Sequence, residues 1–207
     1  FPKAIDYLEE ALKIAEKIKD IASLIQAEFW LGLGLSLDCQ FKEGLGYLER
    51  ALEKSLAVNS LWGASVAESN ISCFVYFWQG KLNNALQHSL EAIKLAEESD
   101  DIYSKTIAYS IYAMYCYEKG LLEEAKQNFL KGIDLADRIG YFIWSGSNKI
   151  YLGEIYSELG EYKIAADYYE SAILFIERSK SFRSWVYWGK IALANAKVMK
   201  REQDIHF

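Results

Sequence analysis

Leu152-Gly153-Glu154-Ile155-Tyr156-Ser157-Glu158-Leu159-Gly160-Glu161-Tyr162-Lys163-Ile164-Ala165-Ala166-Asp167-Tyr168-Tyr169-Glu170-Ser171-Ala172 is the stretch that decides the fold. Gly160 closes an aromatic, apolar run and precedes a more charged one, the place of a glycine in the left-handed cap that ends a helix. Beyond it Ala165, Tyr169 and Ala172 form a small–large–small series. Small residues seven apart lie two turns apart on one helix face, where they let a neighbouring helix come close. The large residue between them fills the groove alongside.

The same arrangement recurs outward along the chain. Gly120 is followed by Ala125, Phe129 and Gly132, and Gly80 by Ala85, Ser89 and Ala92. Earlier copies are Gly44, Leu48, Ala51 and Ala4, Leu8, Ala11. The first small residues fall at 4, 44, 85, 125 and 165, a period of about 40 residues. Ten helices are predicted, near 2–18, 21–39, 42–58, 61–79, 82–98, 101–119, 121–138, 141–159, 161–179 and 181–202, with Asn59-Ser60 and Asp100-Asp101 as N-caps. Short connections make consecutive helices antiparallel neighbours. No linker interrupts the series, so residues 1–207 read as one domain. It comprises a half-repeat 1–20, repeats 21–60, 61–100, 101–140 and 141–180, and a terminal helix 181–202.

Composition agrees. The chain has 207 residues, 52% of them hydrophobic, with a single proline, Pro2, which suits long helices joined by tight turns. The net charge is -6, and no basic face is available for nucleic acid. The most apolar stretches, 21–37 and 61–78, carry Gln26, Glu28, Glu68 and Asn70, which marks them as core helices rather than membrane spans. Cys39, Cys73 and Cys116 show no metal or disulfide spacing and are expected to be reduced, buried thiols, which points to the cytoplasm. Phe1 opens the chain inside an amphipathic segment, as in a fragment of a larger protein.

The motif Gly-x4-Ala-x3-(Phe/Tyr)-x2-small, preceded by Leu152, Gly153 and Tyr156, resembles the tetratricopeptide repeat (TPR). Tyr112, Ala113, Cys116, Gly120, Ala125, Phe129 and Gly132 give a second, weaker match. The usual period of that family is 34. The period here, and the lack of the family's helix-terminal proline, resemble its longer-helix subclass, which occurs in maltose-regulon-type activators and related bacterial signalling proteins. A period near 40 also suits HEAT or armadillo repeats, but the phased Gly-x4-Ala signal favours the TPR. The resemblance implies an all-α, right-handed superhelical solenoid of antiparallel helix pairs. The first helix of each pair would line the concave side and the second the convex back.

The resemblance also implies a ligand-facing set on the first helices. Carried over by phase, it comprises Gln26, Phe29, Leu33 and Ser36; Ala67, Asn70, Phe74 and Phe77; Ile107, Ser110, Met114 and Tyr117; and Ser147, Ile150, Glu154 and Ser157. Tyr187 and Lys190 follow on the last helix. Of these, Phe29, Asn70, Phe74, Phe77, Ser110, Met114, Tyr117, Ile150, Glu154, Tyr187 and Lys190 are the candidate partner-binding residues. Phe74, Phe77, Met114 and Tyr117 are expected on the concave side, at least two of them partly exposed, with Asn70 and Ser110 among them as polar anchors. The opposing reading is that these aromatics are extra core.

Catalytic constellations are lacking. The two histidines, His88 and His206, lie far apart, Gly32-Leu33-Gly34 falls inside a helical pattern, and no phosphate-binding loop is present. The expected role is therefore non-catalytic, with no cofactor or metal. It is a protein–protein interaction scaffold whose apolar, aromatic-lined groove receives a peptide, a helix or a partner domain. The alternative is a ligand- or peptide-sensing module of a bacterial multidomain signalling protein or transcription regulator. Partners are expected to be protein, with neither nucleic acid nor membrane. Helix 2–18, whose Ile5, Leu8 and Leu12 repeat the interior pattern, is a candidate edge for self-association.

Overall fold

A computed structural model describes residues 2–179 and 183–206. The elements are α1 (Pro2–Ile18), α2 (Ile21–Leu37), α3 (Phe41–Ala57), α4 (Leu61–Asn70), α5 (Leu82–Ser99), α6 (Ile102–Glu118), α7 (Leu122–Arg138), α8 (Phe142–Glu158), α9 (Tyr162–Ser179) and α10 (Arg183–His206). The described residues contain no strand. The last helix begins at Arg183 and runs to His206, past the predicted end at 202. Phe1, residues 180–182 and Phe207, which fall within the expected half-repeat, the last full repeat, the terminal helix and the chain's end, lie outside the described residues.

Each inter-helix turn from α1 to α9 is made by one residue in the left-handed conformation. These are Lys19, Cys39, Asn59, Gly80, Asp100, Gly120, Gly140 and Gly160, with φ between 54° and 76°. The spacing of 20 or 21 residues between them is the half-period of the repeat. The expected caps divide. Asp101 Oδ1 accepts from the Ser104 amide at 2.7 Å, and Asp20 Oδ2 likewise accepts from Ser23 at 2.8 Å. Ser60 holds the N-cap position of α4 without a side-chain capping bond.

The predicted helix 61–79 is not uniform. α4 passes into a π-helical turn at Ile71–Tyr76 and a 3-10 turn at Phe77–Gln79. Two side-chain amides accompany the change. Asn70 Nδ2 donates to the Val66 carbonyl at 2.7 Å, and Gln79 Nε2 to the Val75 carbonyl at 2.6 Å. Side-chain donors that take carbonyls four residues back compete with the backbone ladder.

The chain divides into two compact units, Phe1–Ile111 and Tyr112–Phe207, with the division inside α6. In the first, Ile5, Leu12 and Ala15 of α1 pack with Ala27, Leu31 and Leu35 of α2. Leu48 of α3 packs with Ile71 and Val75. In the second, Ile150, Ala165, Tyr169, Ala172, Ile176, Val186 and Ala196 form one cluster.

The small–large–small residues are buried from the second copy onward. Ala85, Ala92, Ala125, Ala165 and Ala172 have no exposed surface. The first copy departs: Ala4 and Ala11 are exposed, because α1 packs on α2 through Ile5, Leu8 and Leu12 instead. Those three were the residues expected at a bare edge. The apolar residues that α1 leaves exposed are Tyr7, Ile14 and Ile18. Cys73 and Cys116 are buried as expected, but Cys39 is exposed because it makes the turn after α2.

Ala125→Leu and Ala165→Leu are each expected to cost about 1–3 kcal/mol, since a larger side chain at a close helix contact forces strain. Ala57→Leu, on an exposed position of α3, should leave the unfolding midpoint nearly unchanged. Urea unfolding of the three variants measures this.

Candidate functional site

The first helices of the pairs are α2, α4, α6 and α8, joined by the closing α10. They carry few charges because they are sandwiched. In α6, Thr106 to Ile111 and Ala113 to Cys116 are all buried. Burial of this extent decides which groove candidates a ligand can reach.

In the first unit Phe29, Phe74 and Phe77 are partly exposed. Phe29 meets Trp30 edge-on at 5.2 Å, and Phe74 meets Trp78 edge-on at 5.0 Å. Asn70 is 5% exposed, and its amide is turned back onto its own helix. Ser110 is fully buried and donates to the Thr106 carbonyl at 2.7 Å. The two expected polar anchors are therefore directed into helix backbone, the arrangement by which buried side-chain donors are satisfied.

In the second unit Met114 is 6% exposed and Ile150 fully buried. Tyr117 is partly exposed. Its hydroxyl donates to Glu158 Oε1 at 2.5 Å and its ring meets Tyr151 at 5.7 Å. Tyr151 in turn stacks on Phe129 at 5.1 Å and meets Trp188 edge-on at 5.3 Å. Glu154 is partly buried beside this cluster. Burial holds its carboxyl above the usual range, against hydrogen bonds from Tyr169 and Trp188, and Glu158 adds a like charge. Tyr187 is exposed, and Lys190 pairs with Glu177 at 3.0 Å.

A cleft of about 360 Å³ opens in the first unit. Ile25, Gln26, Phe29 and Trp30 of α2 form one wall, and Trp62, Gly63, Val66 and Ala67 of α4 the other. Ala51 and Ser55 of α3, Ser60 and Tyr103 of α6 complete the lining. Gln26, Phe29 and Ala67 are groove positions by sequence phase. Trp30, Trp62, Tyr103, Ser55 and Ser60 escaped the sequence reading. Trp30 and Trp62 are 47% and 44% exposed.

Chemistry elsewhere is sparse. Burial pushes the Cys73 thiol up to about 12 and the Cys116 thiol up to about 11, which makes both poor nucleophiles. His88 Nδ1 lies 2.5 Å from Glu68 Oε2, and the imidazole stacks on Tyr76 at 5.1 Å. Among the described residues, no group of three or more His, Cys, Asp and Glu could hold a metal ion. Likewise, no described helix is long and apolar enough to cross a membrane.

No protein-family model matches the sequence, and comparison with curated proteins finds no match. Solved structures do resemble the fold. BtubC (BKLC) from P. vanneervenii aligns with a TM-score of 0.77 at 14% identity, over 96% of this chain and 84% of that one. The nearly identical TPR-like repeats of a Podosopora anserina protein of kinesin light chain type align with a TM-score of 0.62 at 13% identity, over 87% and 88%. The apo form of RapI aligns with a TM-score of 0.63 at 17% identity, over 95% of this chain and 56% of that one. At these identities the likeness is one of fold, and it identifies an all-α, TPR-like helical-repeat solenoid.

Proposed function

We propose that this chain is a non-catalytic protein-interaction module. It offers a peptide, a helix or a partner domain a surface of half-buried aromatic rings on the first helices of its repeats. The observation that carries this reading is the open aromatic cleft between α2 and α4, with Phe29 in its wall and Trp30 and Trp62 half exposed in its lining. Apolar rings left accessible on a stable helical frame are the residue types enriched at interface centres. Phe74 and Phe77 in the first unit, and Tyr117, Glu154, Tyr187 and Lys190 in the second, are the remaining reachable contacts. Asn70, Ser110, Met114 and Ile150 support them from the core. The long-period, maltose-regulon-like assignment, residence in the cytoplasm and a single domain spanning residues 1–207 belong to the same proposal.

The test is a displayed library of random peptides selected on the whole chain. Phe29→Ala, Phe74→Ala and Tyr117→Ala are each expected to weaken a selected peptide that engages their surface by at least about fivefold, as loss of an aromatic hot spot does. Selected peptides that bind all three variants as they bind the parent chain overturn the groove.

Self-association through α1 is a subsidiary proposal, supported by exposed Tyr7, Ile14 and Ile18. Light scattering over a concentration series should show association that Tyr7→Glu with Ile14→Glu abolishes. A parent chain that stays monomeric throughout ends this idea.

A further inference from the structure

Glu154 stands out by its position. In the repeat register it corresponds to Leu33, Phe74 and Met114, all apolar. It also differs from the two buried carboxylates of the first unit, each of which has a basic partner. Glu28 pairs with Arg50 at 3.1 Å and Lys54 at 2.7 Å, and Glu68 Oε2 lies 2.5 Å from His88 Nδ1. Glu154 accepts instead from two neutral donors, the Tyr169 hydroxyl and the Trp188 indole. An ionised carboxylate has about four acceptor sites, so two donors leave half of its capacity unused. Burial works against its charge, and a cation on the site would offset that cost.

The surroundings are acidic and aromatic. The Tyr117 hydroxyl donates to Glu158, and the same phenol feels the charges of Glu158, Glu154 and Glu118. Among the described residues, no lysine, arginine or histidine pairs with any of these three carboxylates. Nearby basic residues are engaged elsewhere: Lys126 with Glu123, Lys149 with Asp137, Lys190 with Glu177 and Lys197 with Glu170. The rings of Tyr117, Tyr151 and Trp188 run in contact beside Glu154. Glu158 is exposed, and Tyr117, Glu154 and Trp188 each keep part of their surface open to solvent.

Elsewhere the chain completes this set of carboxylate and ring with a cation of its own. Arg50 pairs with Glu28 while its guanidinium lies over the Tyr47 ring at 4.1 Å. Lys149 lies 3.7 Å from Asp137 and 3.3 Å from the centre of the Phe175 ring. A carboxylate and an electron-rich ring face both attract the same positive group. At Glu154 the carboxylates and the rings are present and the chain supplies no cation.

We propose that the partner supplies it: an arginine or lysine side chain of the bound peptide seats against the Glu154 and Glu158 carboxylates and the rings of Tyr117 and Trp188. This inference rests on the interaction-module reading and adds the charge of the side chain recognised.

NMR titration of the whole chain with N-acetyl-argininamide, N-acetyl-lysinamide and N-acetyl-citrullinamide, the neutral counterpart of arginine, tests it. The two cations should shift the Trp188 indole N–H resonance. Each should bind at least about fivefold more tightly than the citrulline amide, the margin of a hydrogen bond to a charged group reduced by partial exposure. Glu154→Gln should erase that margin, whereas Glu9→Gln, which removes the same charge from an exposed position of α1, should leave it intact. If Glu154→Gln does not fold, Glu158→Gln decides and should weaken both cations. Equal binding of arginine and citrulline amides, a margin that survives Glu154→Gln, or an equal loss in Glu9→Gln each overturns the inference. Display-selected peptides that depend on Tyr117 but carry no arginine or lysine, and that bind Glu154→Gln as they bind the parent chain, overturn this seat and leave the module reading standing. Cationic amides that bind at Glu154 while no displayed peptide is captured overturn the module reading instead.

Discussion

Tyr169→Ala is expected to lower the stability of the chain by about 3–5 kcal/mol, the cost of emptying a fully buried aromatic site. Tyr169 is 1% exposed and sits at the centre of the cluster formed with Ile150, Ala165, Ala172 and Ile176. Its ring occupies the space over Gly153, where a Cβ would come within 2.5 Å of Cε1. The surrounding backbone cannot collapse into the vacated volume without moving α8 onto α9, so most of the cavity persists. Part of the cost belongs to the hydroxyl, which hydrogen-bonds the half-buried Glu154 carboxyl and lies 3.4 Å from Ser157 Oγ. Tyr169→Phe should therefore lose about 1.5–3 kcal/mol, the worth of a hydrogen bond to a charged group, and less than Tyr169→Ala. Chemical unfolding of the two variants separates the terms. Equal losses would show that the hydroxyl, not the ring, holds the helix pair together.

Leu48→Ala is the counterpart in the first unit and is expected to cost about 2–5 kcal/mol. Leu48 is fully buried and packs with Ile71 and Val75. It faces Gly32 as Tyr169 faces Gly153: a Cβ on Gly32 would meet Leu48 Cγ at 2.8 Å and the Gly44 carbonyl oxygen at 2.8 Å. The backbone contact makes this site less able to relax than one bounded only by side chains. Leu56→Ala, on the same helix but 48% exposed, should change stability by less than about 0.5 kcal/mol. A Leu48→Ala variant that unfolds at the parent's denaturant midpoint would mean that α3 is held mainly by contacts other than this one.

These two sites explain why the fold was legible. A notch on the first helix and a knob on the second recur in register: Gly32 with Leu48, and Gly153 with Tyr169. By the same spacing Ala113 stands opposite Phe129, and Cys73 opposite Ser89. Where the notch residue grows the knob shrinks, so the series survives in the sequence even where the aromatic is lost at Ser89. Backbone proximity of helix pairs is written in residue size, and residue size can be read directly. The turns are less legible. Gly80, Gly120, Gly140 and Gly160 announce themselves, but Lys19, Cys39, Asn59 and Asp100 take the same left-handed conformation without glycine.

The candidate ligand-facing residues were harder to read for a physical reason. Each interior first helix is buried on several faces at once, so phase alone does not separate core from groove. Ser110, Met114 and Ile150 share the phase of Phe74 and Tyr117 but are buried, while Phe74 and Tyr117 keep part of their rings exposed. The π-helical turn at Ile71–Tyr76 was invisible because it depends on where the Asn70 and Gln79 amides point. The cleft was invisible because no single helix contains it. Its lining comes from α2, α3 and α4 together with Tyr103 of α6.

The central claim is that partners are engaged by the first helices of the repeats and not by the second. Hydrogen–deuterium exchange of the whole chain with and without a display-selected peptide tests it most directly. The account predicts that added protection concentrates in α2 and α4, or in the α8 and α10 segments that carry Glu154 and Tyr187, while the exposed faces of α3, α5 and α7 exchange as before. Protection confined to α3, α5 or α7, with α2, α4, α8 and α10 unchanged, would contradict it.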